Sequence, residues 1–522
     1  MSSILNLGEV LASNARFHPE RIGARDLERA MTFREWNARA CRLANALRGL
    51  GLAKGDRVAV LAYNCIEWLE IYAAAAKGGL IAVPINFRLV GPEIAYVVND
   101  CDARVLIVQD ALMGAVEAIR DDLPVEPECY IHFGGARTPP GYRRYEALIA
   151  AASEAEPAVA AVPADPWTLM YTSGTTGRPK GAIRSHLGGA LLALVTEVEL
   201  GFSRRDTALL VMPMCHANSL YFATSITYCG GACAIYSRTS FDPEHVLATL
   251  AASGASFTSM VPTQYVMLLE VPAAARARYD TAAVRKLMIS SAPARRETKL
   301  AVMELFPSAG LFELYGSTEA GWVTMLQPEE QLSKLGSVGR ECVGTRPVRL
   351  LDPAGTEVPD GAVGELYSAT PYTFDGYWKL PEKTAEAFKD GYCSVGDLAR
   401  RDEDGFLYLV DRKSNMIISG GENVYPSEVE AAIAAHPAVR EVAVIGLPDA
   451  KWGERVHAVV ALDHDRESSA DELIEWCRAR LAGYKRPRSI SIVAAAEIPR
   501  TATGKIQHRL LRQRILAREQ GR

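Results

Sequence analysis

The run Tyr171-Thr172-Ser173-Gly174-Thr175-Thr176-Gly177-Arg178-Pro179-Lys180-Gly181 places four aliphatic hydroxyls, three glycines and one lysine within eleven residues. Glycines let backbone N–H groups approach an anion closely, hydroxyls add donors, and the lysine adds a mobile positive charge. Those are the parts of a phosphate-handling loop. The pattern is not that of a Walker A loop, because Pro179 precedes Lys180 and Gly181 follows it. An ordinary Gly/Ser/Thr surface loop would not explain a lysine and a proline at its end.

Further candidate groups follow at intervals: Tyr315-Gly316-Ser317-Thr318-Glu319, Gly396-Asp397, Asp411-Arg412, Gly420-Gly421-Glu422-Asn423 and Thr503-Gly504-Lys505. In type and order, from residue 171 to residue 505, these motifs resemble the adenylate-forming superfamily of acyl-CoA synthetases, firefly luciferase and nonribosomal peptide adenylation domains. The activity that the resemblance implies is AMP-forming acid–thiol ligation, with ATP, Mg²⁺ and coenzyme A. A carboxylate attacks the α-phosphate of ATP, pyrophosphate leaves, and a thiol then takes the acyl group.

The resemblance also assigns roles. Thr172, Ser173, Gly174, Thr175, Thr176 and Lys180 match the loop around the β- and γ-phosphates. Ser291, Ala292 and Pro293 match the adenine-side wall, and Tyr315, with Gly316 and Ser317 after it, matches the residue that stacks on adenine. Thr318 is expected at the α-phosphate and Glu319 on magnesium, which prefers hard oxygen donors. Asp397 matches the acceptor of both ribose hydroxyls and Arg412 a second ribose contact. Lys505 matches the lysine that stabilises charge between the carboxylate and the α-phosphate. Gly420, Gly421 and Glu422 match the loop lining the pantetheine tunnel. Two positions depart from the pattern: Val395 stands where a threonine usually precedes Gly-Asp, and Ser414 stands where the hinge is usually Asp or Lys.

For the acid itself, His216, Ala217 and Asn218 match a segment bordering the acyl and pantetheine sites, with Phe222 and Trp322 as further substrate-facing candidates. Amino-acid-activating relatives carry an aspartate where this chain has Ala217, so a substrate α-amine would lack its counter-ion. A hydrophobic acid, fatty, alicyclic or aromatic, is expected. Transfer to a carrier-protein phosphopantetheine is the alternative, and a non-catalytic nucleotide-binding scaffold the remote one.

The elements that must position these groups have an α/β rhythm. Short apolar runs at 57–61, 80–84 and 104–108 alternate with a helical stretch at 66–76, and buried-strand patterns recur at 208–213, 257–262, 286–290 and 311–315. That argues for a large N-terminal domain of doubly covered, mixed or parallel sheets. Glycine-rich turns between 352 and 412 indicate a β-rich subdomain. A small, mobile α+β C-terminal domain is expected after a hinge at 412–414, giving a large domain at 1–411 and a small one at 415–522. It should carry a helix from about Pro426, strands at 441–446, 457–462 and 489–493, and a helix at 469–481.

Composition narrows the function classes. The chain has 522 residues, too many for one ordinary core, with 49% hydrophobic and 23% charged residues. A net charge of −5 gives no general attraction to nucleic acid or anionic lipid. Ten scattered cysteines without CxxC spacing indicate neither a zinc site nor a disulfide framework and suit a reducing compartment. No signal peptide or membrane span is read, so a cytoplasmic protein is expected, and the resemblance allows a homodimer.

Overall fold

The computed structural model describes residues 6–135, 137–159, 161–172, 179–290, 294–419, 422–449, 451–463, 465–478, 480–501 and 504–520. The chain packs as two compact units, one of 1–347 with 368–393 and one of 348–367 with 394–522.

The first unit is built on two large sheets. In one, nine strands run in the order Arg340–Glu341, Gly321–Leu326, Gly310–Ser317, Lys286–Ser290, Phe257–Met260, Thr207–Leu210, Ala232–Ile235, Ile22–Arg25, Ala30–Thr32. Its interior pairs are parallel and its edges antiparallel. Side chains alternate between two cores, as a period of two requires. Ala208, Leu210, Phe257 and Met288 enter one core, whereas Leu209, Leu287, Ile289 and Leu311 enter the other. Both faces of the sheet are therefore covered, as the near-continuous apolar runs imply.

The second sheet has eight strands in the order Gly376–Tyr377, Lys180–Ser185, Pro166–Thr172, Ile81–Ile85, Arg57–Leu61, Ala103–Gln109, Tyr130–Phe133, Arg143–Arg144. Valines and isoleucines of its central strands are buried on both faces. They share one core with the helices Glu67–Gly78 and Ala217–Tyr228. The helix Glu67–Gly78 is buried on every side from Trp68 onward. It ends at Gly79 in the left-handed region (φ +63°), where a side chain would be strained.

The second unit contains a four-stranded antiparallel sheet, Arg349–Leu351, Gly364–Tyr367, Asp397–Arg401, Leu407–Arg412, and a five-stranded one. In the latter, Val439–Asp449 and Gly453–Leu462 form a long antiparallel pair, and Ser489–Ile492 joins in parallel. Val442, Val444, Val456 and Ala458 face the helices Pro426–Ala434 and Ala470–Arg478. Ala443, Ile445 and Val459 face Leu511 and Ile515 of the helix His508–Gln520.

Packing splits the β-rich stretch read from the sequence. Its segment 368–393 goes with the first unit, because Gly376–Tyr377 adds an antiparallel edge to Lys180–Ser185. Its remaining strands pair among themselves and go with the second unit. Residues 412–414 thus lie inside the second unit. Among the described residues no helix is long and apolar enough to cross a membrane.

Candidate active site

The phosphate-loop candidate is flanked by two paired strands. Pro166–Thr172 and Lys180–Ser185 are antiparallel partners, with Thr172 opposite Lys180, and form a stem at its two ends. Ser173, Gly174, Thr175 and Thr176 lie outside the described residues, as do Ser291, Ala292, Pro293, Gly420 and Gly421. The stem is anchored by two hydrogen bonds. The Tyr171 hydroxyl donates to Asp100 Oδ2 at 2.5 Å, and the Tyr96 hydroxyl donates to the carbonyl of Pro179 at 3.1 Å.

Opposite the stem stands the turn carrying Thr318 and Glu319. Tyr315 is buried at the end of the strand Gly310–Ser317, and a bulge separates it from Gly316 in the pairing with Gly321–Leu326. At Gly316 a Cβ would lie 2.2 Å from the carbonyl oxygen of Gly321, so the close approach of the two strands excludes any side chain. Ser317 Oγ then accepts from the N–H of Ala320 at 2.9 Å and closes the turn.

Polar contacts converge on Glu319. Its carboxylate is buried (7% exposed), and Oε1 accepts from the Thr172 hydroxyl at 3.1 Å and from the Tyr377 hydroxyl at 3.0 Å. The Tyr377 ring lies 3.9 Å from Lys180 Nζ in a cation–π contact. Burial pushes the Lys180 ammonium below the usual lysine range, and the nearby Glu319 carboxylate works against that shift. The Glu319 backbone is held too. Its carbonyl accepts from the Phe374 N–H at 2.7 Å and from Arg184 Nη1 at 3.1 Å, and Arg184 Nη1 also reaches the Thr318 carbonyl at 3.2 Å. Thr172, Lys180, Thr318 and Glu319 are therefore brought together.

The acid-site candidates divide into two groups. Phe222 is fully buried, with its ring 4.7 Å from Phe257 and 5.3 Å from Trp322. Trp322 also packs on Tyr221 at 5.3 Å and donates its Nε1–H to Thr196 Oγ1 at 2.9 Å. This aromatic cluster is part of the core of the first unit. His216 and Ala217, by contrast, are half-buried at the start of the helix Ala217–Tyr228. Asn218 beside them sits among polar groups: its Nδ2 donates to Ser259 Oγ at 3.1 Å and to Ser290 Oγ at 3.0 Å. Both serines stand at the C-terminal ends of neighbouring parallel strands, where ligands of open α/β sheets bind.

In the second unit Asp397 and Arg412 face each other across an antiparallel pair, and Arg412 Nε donates to Asp397 Oδ1 at 2.9 Å. Gly396 before them has φ +80°, a conformation that favours glycine. Asp411 accepts from its neighbour's N–H at 2.6 Å and from the Ser427 N–H at 2.9 Å, fastening the strand Leu407–Arg412 to the start of the helix Pro426–Ala434. Burial pushes its carboxyl above the usual range. The turn after Arg412 is closed by the N–H groups of Asn415 and Met416 on the Arg412 carbonyl, with Ser414 inside it. Glu422 is exposed in the short strand Glu422–Val424.

Lys505 is exposed and belongs to the same unit. Its N–H meets Thr501 Oγ1 at 3.1 Å, its carbonyl accepts from the Thr501 N–H at 2.7 Å, and Gly504 before it has φ +82°. Arg500, paired with Glu441 at 2.6 Å, braces Gly504 by donating to its carbonyl at 2.7 Å.

Arg184, Tyr377 and Tyr96 were not singled out in the sequence. The available signal was a second cation, Arg184, four residues after Lys180 in the strand Lys180–Ser185.

Comparison with known proteins places this geometry in a family. The description of AMP-binding enzymes matches residues 11–378, and that of the AMP-binding enzyme C-terminal domain matches residues 428–505. A feruloyl-CoA synthase of Amycolatopsis sp is 36% identical over 510 residues, covering 98% of this chain and 99% of that protein. A long-chain-fatty-acid–CoA ligase of Mycobacterium tuberculosis is 36% identical over 492 residues, covering 93% of each. The crystal structure of the anthranilate CoA ligase AuaEII in complex with anthranoyl-AMP superposes with a TM-score of 0.88 at 28% identity, covering 98% of both chains. The chain belongs to the adenylate-forming AMP-binding enzyme family. Within it, the chain is an AMP-forming CoA ligase, using ATP, CoA and a carboxylic acid.

Proposed function

We propose that this ligase activates a hydrophobic carboxylic acid, fatty, alicyclic or aromatic, through an acyl-adenylate. A carboxylate oxygen attacks the α-phosphorus, the bond to the bridging oxygen breaks, and pyrophosphate leaves. The CoA thiol then loses its proton, its sulfur attacks the acyl carbon, and AMP departs with the former carboxylate oxygen. The observation that carries this reading is the Glu319 carboxylate, fixed by Thr172 and Tyr377 beside Lys180, where the paired strands Pro166–Thr172 and Lys180–Ser185 flank the Gly/Ser/Thr-rich segment.

Each side chain has a role suited to its chemistry. Lys180 and Thr172 neutralise and orient the β- and γ-phosphates, Thr318 contacts the α-phosphate, and Tyr315 stacks on adenine. Asp397 and Arg412 take the ribose, and Lys505 stabilises the charge that develops as two anions meet. Gly421 belongs to the pantetheine tunnel, and residues 412–414 are the hinge about which the small domain turns between the two half-reactions.

The residues present fit Mg²⁺. Both hydrogen bonds to the Glu319 carboxylate fall on Oε1 and, among the described residues, none falls on Oε2. No group of three or more His, Cys, Asp or Glu that could hold a metal occurs among the described residues. One carboxylate completed by phosphate oxygens and water is the usual Mg²⁺ donor set at nucleotides. Bound there, Mg²⁺ would neutralise phosphate charge, and Glu319 would hold it.

Ala217 supports an acid without an α-amine. The relatives are named for ferulate, long-chain fatty acids, indoleacetate and 2-succinylbenzoate, all acids with a large apolar part. A cytoplasmic location suits the ten cysteines, nine of them buried and none in a disulfide among the described residues. Pyrophosphate release across a panel of fatty, alicyclic and aromatic acids, with and without CoA, tests the reading. A response to one class with acyl-CoA as product supports it. Turnover restricted to amino acids, or release of ADP, contradicts it.

A further inference from the structure

We propose that Arg184 is a positioning residue for the metal- and phosphate-binding turn, setting the main chain of Thr318 and Glu319 for a magnesium-bound triphosphate. The proposal rests on the roles of Thr318 and Glu319 given above and extends them to a buried residue that bonds their main chain.

Side chains at alternate positions of a strand share one face. In Lys180–Ser185 that rule puts Lys180 and Arg184 on the same face. Both cations serve Glu319, from opposite ends. Lys180 stands over the ring of Tyr377, whose hydroxyl bonds the Glu319 carboxylate. Arg184 Nη1 bonds the carbonyls of Thr318 and Glu319. The strand thus grips the residue by side chain and backbone together.

The environment of Arg184 is unusual for its type. It is 1% exposed, and among the described residues no carboxylate forms an ion pair with it. Among the described residues its buried Nε and Nη2 have no hydrogen-bond partner, and its guanidinium lies 5.3 Å from the centroid of the Tyr221 ring. Taking a guanidinium out of water is expensive. A purely structural link between these carbonyls could be made by a neutral donor at lower cost. What a neutral donor lacks is the positive charge, which here lies behind the turn that must hold a carboxylate, a cation and a phosphate in one arrangement.

The test compares Arg184→Gln, which keeps a donor and removes the charge, with Arg184→Lys, which keeps the charge, alongside Glu319→Gln. Calorimetric affinity for ATP is measured with and without Mg²⁺, and KM is measured separately for ATP, acid and CoA. Arg184→Gln should weaken Mg·ATP binding by about tenfold or more, the effect of losing a charged hydrogen bond. Its acid and CoA KM should stay near wild type, its metal-free ATP affinity should match wild type, and Arg184→Lys should restore most of the loss. If Glu319→Gln weakens Mg·ATP and Arg184→Gln does not, the positioning role is overturned while the site assignment stands. If Glu319→Gln has no effect, the site assignment itself falls, and the Arg184 proposal with it. An equal loss toward ATP, acid and CoA in both Arg184 variants, with a lowered melting temperature, would show a structural residue only and also overturn the proposal.

Discussion

The Tyr377 hydroxyl donates to Glu319 Oε1 at 3.0 Å across a sequence separation of 58 residues. The same ring carries Lys180 Nζ on its face, so one tyrosine joins the acidic and the basic member of the candidate phosphate site. Tyr377→Phe removes the hydrogen bond and keeps the ring. Since a hydrogen bond to a charged group contributes about 1.5–3 kcal/mol, the KM for Mg·ATP should rise by roughly tenfold or more. The acid KM should change little. Steady-state pyrophosphate release reads both, and Tyr377→Leu, which also removes the cation–π contact, should be worse.

Lys505 separates the half-reactions. Lys505→Ala should slow acyl-adenylate formation by about 100-fold or more, the range seen when one donor to a developing charge is removed. Thioester formation from supplied acyl-AMP should be nearly unchanged. Rapid-quench measurement of each half-reaction checks this, and equal losses in both would remove Lys505 from the first step.

Asn218 should tune the choice of acid. Its carboxamide already engages Ser259 and Ser290, a polar spot beside an apolar cluster. Asn218→Leu should shift kcat/KM toward plain hydrocarbon acids and away from those with hydroxyl or amino substituents. The shift should be about tenfold, the discrimination expected of one or two kcal/mol. Matched pairs of acids differing by one hydroxyl give the measurement.

Gly316→Ala is a stability prediction. A Cβ 2.2 Å from the Gly321 carbonyl oxygen forces the two strands apart, because a backbone atom cannot yield as a flexible side chain does. The cost should be about 3 kcal/mol or more, among the larger single-site effects. Thermal unfolding followed by circular dichroism reads it.

Two buried imidazoles set a pH dependence. Burial pushes both His186 and His457 down to about 4, whereas an unfolded histidine titrates near 6.5. Between those values the unfolded chain binds protons that the folded chain does not, so stability falls as pH drops from about 6.5 to about 4. Each imidazole contributes up to about 3 kcal/mol of that loss. Proton resonances of both rings should stay in their neutral positions at pH 5, and titration near 6.5 would contradict the assignment.

Much of the scaffold was legible because buried parallel strands announce themselves as apolar runs. Lys286–Ser290 matches its sequence reading at both ends. The run at 208–213 outlasts its strand, which stops at Leu210, because Val211 and Met212 are buried beyond the end of the ladder. The split of the β-rich stretch was not legible, since it depends on Gly376–Tyr377 pairing with a strand nearly 200 residues earlier. Arg184 and Tyr377 escaped for the same reason: what gives each its meaning is Glu319, and 135 and 58 residues separate them from it. Phe222 and Trp322 were read as substrate-facing on apolarity alone, which does not distinguish a pocket wall from the core in which they pack.

The acyl-adenylate itself is tested most directly by following oxygen. The acid that the panel selects is labelled with ¹⁸O in its carboxylate and turned over with ATP and CoA, and the AMP is analysed by mass spectrometry. Attack of the carboxylate on the α-phosphorus predicts one labelled oxygen in each AMP formed. Unlabelled AMP, with the label in pyrophosphate or water, would contradict the account.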